Sequence, residues 1–302
     1  SLSGPDAKSV QQRLADIECY LQQADTDPLA AGHLQLEAAQ AHQRLGQWSQ
    51  SETAARAAAR AFQLAGNAQM AAQAQGQIAD ILQLRGQFDE AQRIRYQEEL
   101  PVYERLGDVR SKAITMGQIS DVLQLRGQFD EALRIRYQEE LPVYESLGDV
   151  HSKAISMGKI AEVLQSRGQL DEAIRIRLQQ QIPVFERQGD VRSKAVTMGK
   201  VADILQLRGQ YDEALRIRRQ MELPVYERLG DVREKAVTMG KIADILQSRG
   251  QLDEALRIRQ EEELPVYEHL GDVRSKAVTW GQIADILQSR GQLDEALTIW
   301  QT

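Results

Sequence analysis

The side chains able to do chemistry are numerous, but their spacing is wrong for catalysis. Four histidines, His33, His42, His151 and His269, are scattered along the chain with no common interval. Cys19 is the single cysteine and no Cys-His arrangement accompanies it, so a small packed residue accounts for it better than a nucleophile. Carboxylates abound, yet they recur: Asp203 and Asp244 stand 41 residues apart. Acids repeated at an equal interval along an array form a ladder, not the close pair that general acid–base work requires. A Gly-rich phosphate loop, an HExxH pair and paired-cysteine metal spacing are all missing. The chain is therefore expected to be no enzyme and to hold no cofactor or metal.

Composition points the same way. Gln, Leu, Ala, Arg and Glu dominate, with 5% aromatics, a helix-rich balance. The net charge of −7 gives a phosphate backbone no general attraction, so nucleic acid is not an expected partner. No run of 18 apolar residues exists, and a membrane span is not expected. A single cysteine excludes an internal disulfide framework and suits a reducing, cytoplasmic setting. The start, Ser1-Leu2-Ser3-Gly4-Pro5, has no methionine and reads as an expression remnant or an internal cut.

The elements that position these side chains are repeats. Gly-Asp-Val begins at Gly107, Gly148, Gly189, Gly230 and Gly271, each 41 residues after the last. A second series, Gly86, Gly127, Gly168, Gly209, Gly250 and Gly291, follows an arginine each time. The units starting at Gly189 and Gly230 differ at eight of 41 positions, which indicates recent duplication. Within one unit, Ala236, Met239, Ile242, Ala243 and Leu246 fall on one helical face. Asp231 suits the N-cap and Gly250 the left-handed position beyond the C-terminus. The second half sets Leu252, Ala255, Leu256, Ile258 and Leu264 on another apolar face. Asp253/Arg257 and Arg259/Glu263 are i,i+4 pairs expected on its exposed side. Two short amphipathic helices cannot bury their faces alone, so the unit implies a stacked solenoid.

The pattern Trp280, Ile283, Ala284, Leu287, Gly291, Leu293 and Ala296 resembles the tetratricopeptide repeat family, with Met116, Met157, Met198 or Met239 in the tryptophan place of other units. The period of about 40 residues resembles the longer subclass found in cell-polarity adaptors and in the sensor arrays of bacterial STAND-type signalling proteins. The resemblance implies an all-α, right-handed alpha-alpha superhelix. Residues 1–28 read as an N-terminal capping helix (Val10, Leu14, Ile17 and Leu21 on one side) with the remnant, and 29–302 as seven hairpins, the last truncated. The array is expected to continue in a longer protein, and Trp280 and Trp300 in the last unit suggest possible end-to-end self-association.

One departure from the family pattern is informative. The half between Gly46 and Gly66 spans 20 residues; later ones span 21 and carry Pro101, Pro142, Pro183, Pro224 or Pro265. Proline inside a helix lacks a donor and clashes with the preceding turn. The extra residue predicts a bulge that absorbs the clash, or else a helix that stops before the proline and restarts.

The family pattern also implies which positions of the first helix line the concave groove: a glycine, a Lys or Gln beside it, an acid and an amide. The glycines are Gly76, Gly117, Gly158, Gly199, Gly240 and Gly281, each costing about 0.5–1 kcal/mol against alanine. They serve either an open groove floor or close helix packing. The resemblance makes Lys159, Lys200 and Lys241, with Asp121, Glu162, Asp203, Asp244, Asp285, Gln165, Gln206 and Gln247, the candidate binding residues. Asp203 and Asp244 are expected in the open groove, so that alanine there would leave stability unchanged. The competing surface is the second helix, where Arg219, Met221 and Glu262 vary most between units. The expected function is a protein- or peptide-binding scaffold, the sensor or interaction region of a larger signalling protein. The alternatives are a structural spacer that self-assembles and the non-catalytic part of a multidomain enzyme.

Overall fold

The computed structural model describes residues 5–22 and 27–301. Among these every regular element is a helix and no residue is in a strand. The first four helices are α1 (Pro5–Leu21), α2 (Pro28–Arg44), α3 (Trp48–Leu64) and α4 (Ala68–Leu84). There follow α5 (88–106), α6 (Val109–Leu125), α7 (129–146), α8 (Val150–Ser166), α9 (170–188) and α10 (Val191–Leu207). The remaining five are α11 (211–229), α12 (Val232–Ser248), α13 (252–269), α14 (Val273–Ser289) and α15 (Leu293–Trp300). The capping role expected of residues 1–28 falls partly on positions outside the described residues.

The even-numbered helices from α4 to α14, here A helices, are 17 residues each. Their starts follow the sequence directly. The carboxylates of Asp108, Asp190, Asp231 and Asp272 accept from the backbone N–H three residues on, at 2.9–3.1 Å. Their ends are closed by glycine. Gly86 sits at φ +76°, where the backbone turns so that Gln87 N–H reaches back to the Leu82 carbonyl at 2.8 Å.

The B helices α5, α7, α9, α11 and α13 each contain five residues of π-helix immediately before the Leu-Pro or Ile-Pro pair: Arg95–Glu99, Arg136–Glu140, Arg177–Gln181, Arg218–Glu222 and Arg259–Glu263. Leu100 N–H bonds to the Arg95 carbonyl, five residues back, and the other four levels repeat that bond. The helix thus continues through the proline with one residue looped into its wall. Of the two readings left open by the sequence, the bulge is the one adopted.

The chain divides into two compact units, Ser1–Asp149 and Val150–Thr302. The core of the first is alanine-rich around Phe62, Ile78, Ile81 and Ile94, with Leu14 and Ile17 of α1 packed onto it. In the second, Met239, Ile242, Ala243 and Leu246 of α12 and Ala255, Leu256, Ile258 and Leu264 of α13 share one core with their counterparts in adjoining hairpins. Within each unit a hairpin buries its faces against the next, the arrangement on which repeat arrays depend.

Candidate functional site

Beneath the surface of the A helices lies a row of buried arginines. Arg95, Arg136, Arg177, Arg218 and Arg259 open the five π segments, and none is more than 3% exposed. A guanidinium taken out of water must find carboxylates. At four of the five levels it finds two. Arg218 donates from Nη1 to Glu222 at 2.8 Å and from Nη2 to Asp203 at 2.6 Å. Arg136 does the same with Glu140 (2.5 Å) and Asp121 (2.6 Å), and Arg95 with Glu99 (3.0 Å) and Asp80 (2.5 Å). Arg259 takes Glu263 at 2.5 Å and Asp244. The glutamate sits four residues after the arginine on the bulged helix, and the aspartate comes from the A helix of the same hairpin.

The mid-helix glycines are explained by these glutamates. A Cβ on Gly240 would lie 2.6 Å from Oε1 of Glu263, and one on Gly117 2.7 Å from Oε1 of Glu140. The glutamate therefore fills the space over the glycine, and close packing rather than an open floor is the outcome. At Gly281 nothing lies within 4 Å of a Cβ. Burial pushes the carboxyls of Glu99, Glu222 and Glu263 above the ordinary glutamate value, while the paired arginine and a threonine hydroxyl pull the other way.

On the outer side of this row stand the lysines. Lys200 is 3.7 Å from Glu162 and Lys241 is 3.7 Å from Asp203, each reaching the acid of the preceding hairpin. Lys159 lies 3.4 Å from Glu162. All three lysines keep more than two-fifths of their side-chain surface exposed. Hollows open between successive A helices: about 440 Å³ beside Asp80 and Gln118 in the first unit, and about 260 Å³ beside Arg177 and Lys200 in the second.

Residues 70–146 match the family model described as tetratricopeptide repeat. Over these residues the repeats are tetratricopeptide repeats. Solved structures with the same fold include aspartyl phosphate phosphatase F from Bacillus subtilis, at 13% identity and TM-score 0.70, covering 94% of this chain and 72% of that one. A Signal Transduction ATPase with Numerous Domains from Pyrococcus horikoshii, which has a tetratricopeptide repeat sensor, matches at 12% identity and TM-score 0.66, over 96% of this chain and 43% of that one. A Rap protein complexed with Competence and Sporulation Factor matches at 13% identity and TM-score 0.61, over 98% of this chain and 89% of that one. No curated protein matches the sequence.

The tetratricopeptide frame places the candidate residues as follows. Lys159, Lys200 and Lys241 are on one face of successive A helices, and Gln165, Gln206 and Gln247 are half-buried one and a half turns further along. Glu162, about 30% exposed, pairs with Lys159 and Lys200, and the similarly exposed Asp121, Asp203 and Asp244 each bond to a buried arginine. They are anchors of buried charge and not simply open groove side chains, so the expectation that alanine at Asp203 and Asp244 leaves stability unchanged does not hold. Asp285 is exposed.

Other positions also differ from the sequence reading. Arg259/Glu263 does pair, but in the interior instead of on the exposed side. Asp253 turns from Arg257 to Arg290 of the following helix, at 3.0 Å. Cys19 is exposed, not packed. Met221 packs partly against the core, while Arg219 pairs with Glu254 and Glu262 with Arg257. The buried arginine was missed because a lone Arg in an amphipathic helix reads as surface. Its signal was there: Arg holds its register in five units while the next residue is Tyr, Tyr, Leu, Arg and Gln. Among the described residues no helix is long and apolar enough to cross a membrane, and no cluster of His, Cys, Asp or Glu is arranged to hold a metal.

Proposed function

We propose that the chain is a protein- or peptide-binding repeat scaffold that serves as the sensor or interaction region of a larger signalling protein. The observation that carries this reading is the row of half-exposed lysines over anchored acids in the second unit, Lys159, Lys200 and Lys241, repeating at one-hairpin intervals beside open hollows. Charges of both signs recur at fixed spacing, and Asp203 and Asp244 are pinned from below by the buried Arg218 and Arg259. The lysine arms spend little on their present partners: exposed pairs at such distances are worth about 0–1 kcal/mol. They can exchange those partners for a ligand's carboxylates and carbonyls at small cost, and equivalent weak contacts along an extended peptide add through effective concentration. Two relatives support the reading by what they are called. One carries its repeats as a sensor, and the other is complexed with a factor.

The test is affinity capture with the full chain, followed by binding of the captured partner to a K159Q/K200Q/K241Q variant. Loss of the three lysines is expected to weaken binding at least about tenfold, with the melting temperature nearly unmoved since each pair is weak. A variant that binds like the parent removes the A-helix face as the docking surface.

A further inference from the structure

The row of buried arginines is complete at four levels and broken at the fifth. Around Arg177 both acceptors have changed. Gln181 stands where the other hairpins have glutamate, and Glu162 where they have aspartate. The amide of Gln181 donates to the Ala154 carbonyl at 3.0 Å, and its oxygen accepts from Arg177 Nη1 at 3.2 Å, a longer and uncharged replacement for the carboxylate. Glu162, one methylene longer than aspartate, leans toward Lys159 and Lys200, and its nearest oxygen stays 4.0 Å from Arg177 Nη2.

Two donors are left over. Nε and Nη2 of Arg177 have no hydrogen-bond partner, although the side chain is only 3% exposed. Nε is unpartnered at the other four levels as well, but there Nη2 is always satisfied, so the free Nη2 is what sets Arg177 apart. Nε and Nη2 lie on one edge of the guanidinium, the fork that a carboxylate meets with both oxygens. Burial without that counter-charge pulls the Arg177 guanidinium below its usual value.

The same residues line the hollow of about 260 Å³ between α8 and α10. Arg177, Lys159, Lys200 and Arg192 contribute four cations to its lining, and Glu162 the one carboxylate. The corresponding hollow one hairpin later has Arg218, Lys200 and Lys241 against Asp203, Glu222 and Glu234, and is balanced. A cationic hollow in a chain of net charge −7 is a local exception. Arg192 already pairs with Asp231 at 2.6 Å. Thr197 is turned to the Ser193 carbonyl at 2.8 Å, whereas its counterparts Thr115 and Thr279 also reach Glu99 and Glu263.

We propose that this hollow is a carboxylate-binding subsite, in which an aspartate or glutamate side chain of the bound peptide docks on the unpaired edge of Arg177 and supplies the acceptor that Glu162 does not bring within hydrogen-bond distance. The subsite rests on the reading of the A-helix face as a peptide-docking surface, and it fixes the register. A peptide lying along that face places an acidic residue at the level of α8 to α10, and the four complete levels offer no such vacancy.

The probes are two tripeptides, Ac-Ala-Glu-Ala-NH₂ and Ac-Ala-Gln-Ala-NH₂, titrated into the ¹⁵N-labelled full chain. The observed signal is the Arg177 Nε–H resonance, assigned by its absence in Arg177→Lys. The glutamate peptide is expected to shift it saturably, and the glutamine peptide to bind at least about tenfold more weakly, since a bidentate ionic contact is replaced by a neutral one. Glu162→Asp restores the residue that satisfies Nη2 at the other four levels, so it folds, and it is expected to abolish the shift by occupying Nη2 from within. Equal binding of both tripeptides, an undiminished response in Glu162→Asp, or preferential binding of inorganic phosphate would each overturn the assignment. A captured partner whose affinity ignores Glu162→Asp but falls in the lysine variant sinks the subsite and leaves the scaffold reading standing. Tripeptide binding with no effect of the lysine variant on a captured partner does the reverse.

Discussion

Replacing Gly240 and Gly281 by alanine tests whether the buried glutamates are what the mid-helix glycines make room for. Both glycines occupy the same place in A helices of the second unit, and helix propensity alone favours alanine at each by about 1 kcal/mol. At Gly281 nothing lies within 4 Å of the new methyl, so that gain is kept. At Gly240 the methyl would lie 2.6 Å from Oε1 and 2.8 Å from Cδ of Glu263, which is bonded to Arg259 at 2.5 Å and buried to 5% exposure. The glutamate must turn away and leave a buried guanidinium short of a partner, a loss of about 3–5 kcal/mol when the partner is removed altogether. Asp244 remains on Arg259, so part of that is retained, and the net destabilisation is about 2 kcal/mol after the propensity gain. For a unit of this size that is about 4–8 °C in melting temperature, against a rise of about 2–4 °C for Gly281→Ala. Thermal melts followed by circular dichroism at 222 nm read both. The cycle closes with Glu263→Ala, in whose background Gly240→Ala should turn stabilising. If Gly240→Ala raises the melting temperature as Gly281→Ala does, the glycine is not reserved for the glutamate and the account of the buried row is wrong.

Asp203→Ala uncovers Nη2 of Arg218, and because Asp203 is about a third exposed the cost is put at about 1–3 kcal/mol, whereas exposed Asp285→Ala should stay within about 0.5 kcal/mol of the parent; urea titrations decide between them. Backbone N–H groups of Ser111, Ser193 and Ser275 hold Asp108, Asp190 and Asp272 below the ordinary aspartate value. A depressed folded-state pKa gives stability that is present above the unfolded value and lost as pH falls through the folded one. The melting temperature should therefore drop steeply below about pH 4, and Asp190→Asn should flatten its share of that slope. Deleting Gln220 while keeping Pro224 removes the looped residue of the fourth π segment and returns the clash, so the variant is expected to lose at least about 3 kcal/mol; unchanged stability would mean that the bulge does not accommodate the proline.

Repetition made the architecture legible from sequence. Glycines at two fixed phases, an aspartate or asparagine at each A-helix start and two amphipathic stripes per unit are local devices, and local devices act on the backbone within a few residues. The bulge before Pro101, Pro142, Pro183, Pro224 and Pro265 was legible for the same reason, since one extra residue and a missing donor occur together in each unit. Burial of the arginines was not. Helical periodicity assigns Arg259 and Glu263 to a polar stripe, but the π turn rotates the residues beyond it, and the hairpin folds that stripe under Gly240 and Asp244 of the partner helix. Only the packed hairpin decides that an i,i+4 pair lies inside, that a costly glycine is a socket, and that Asp203 is a tether for buried charge. The replacement of aspartate by Glu162 is a single letter in the sequence, and its consequence, an Nη2 without an acceptor beneath a hollow, exists only because the tertiary structure has removed Arg177 from water.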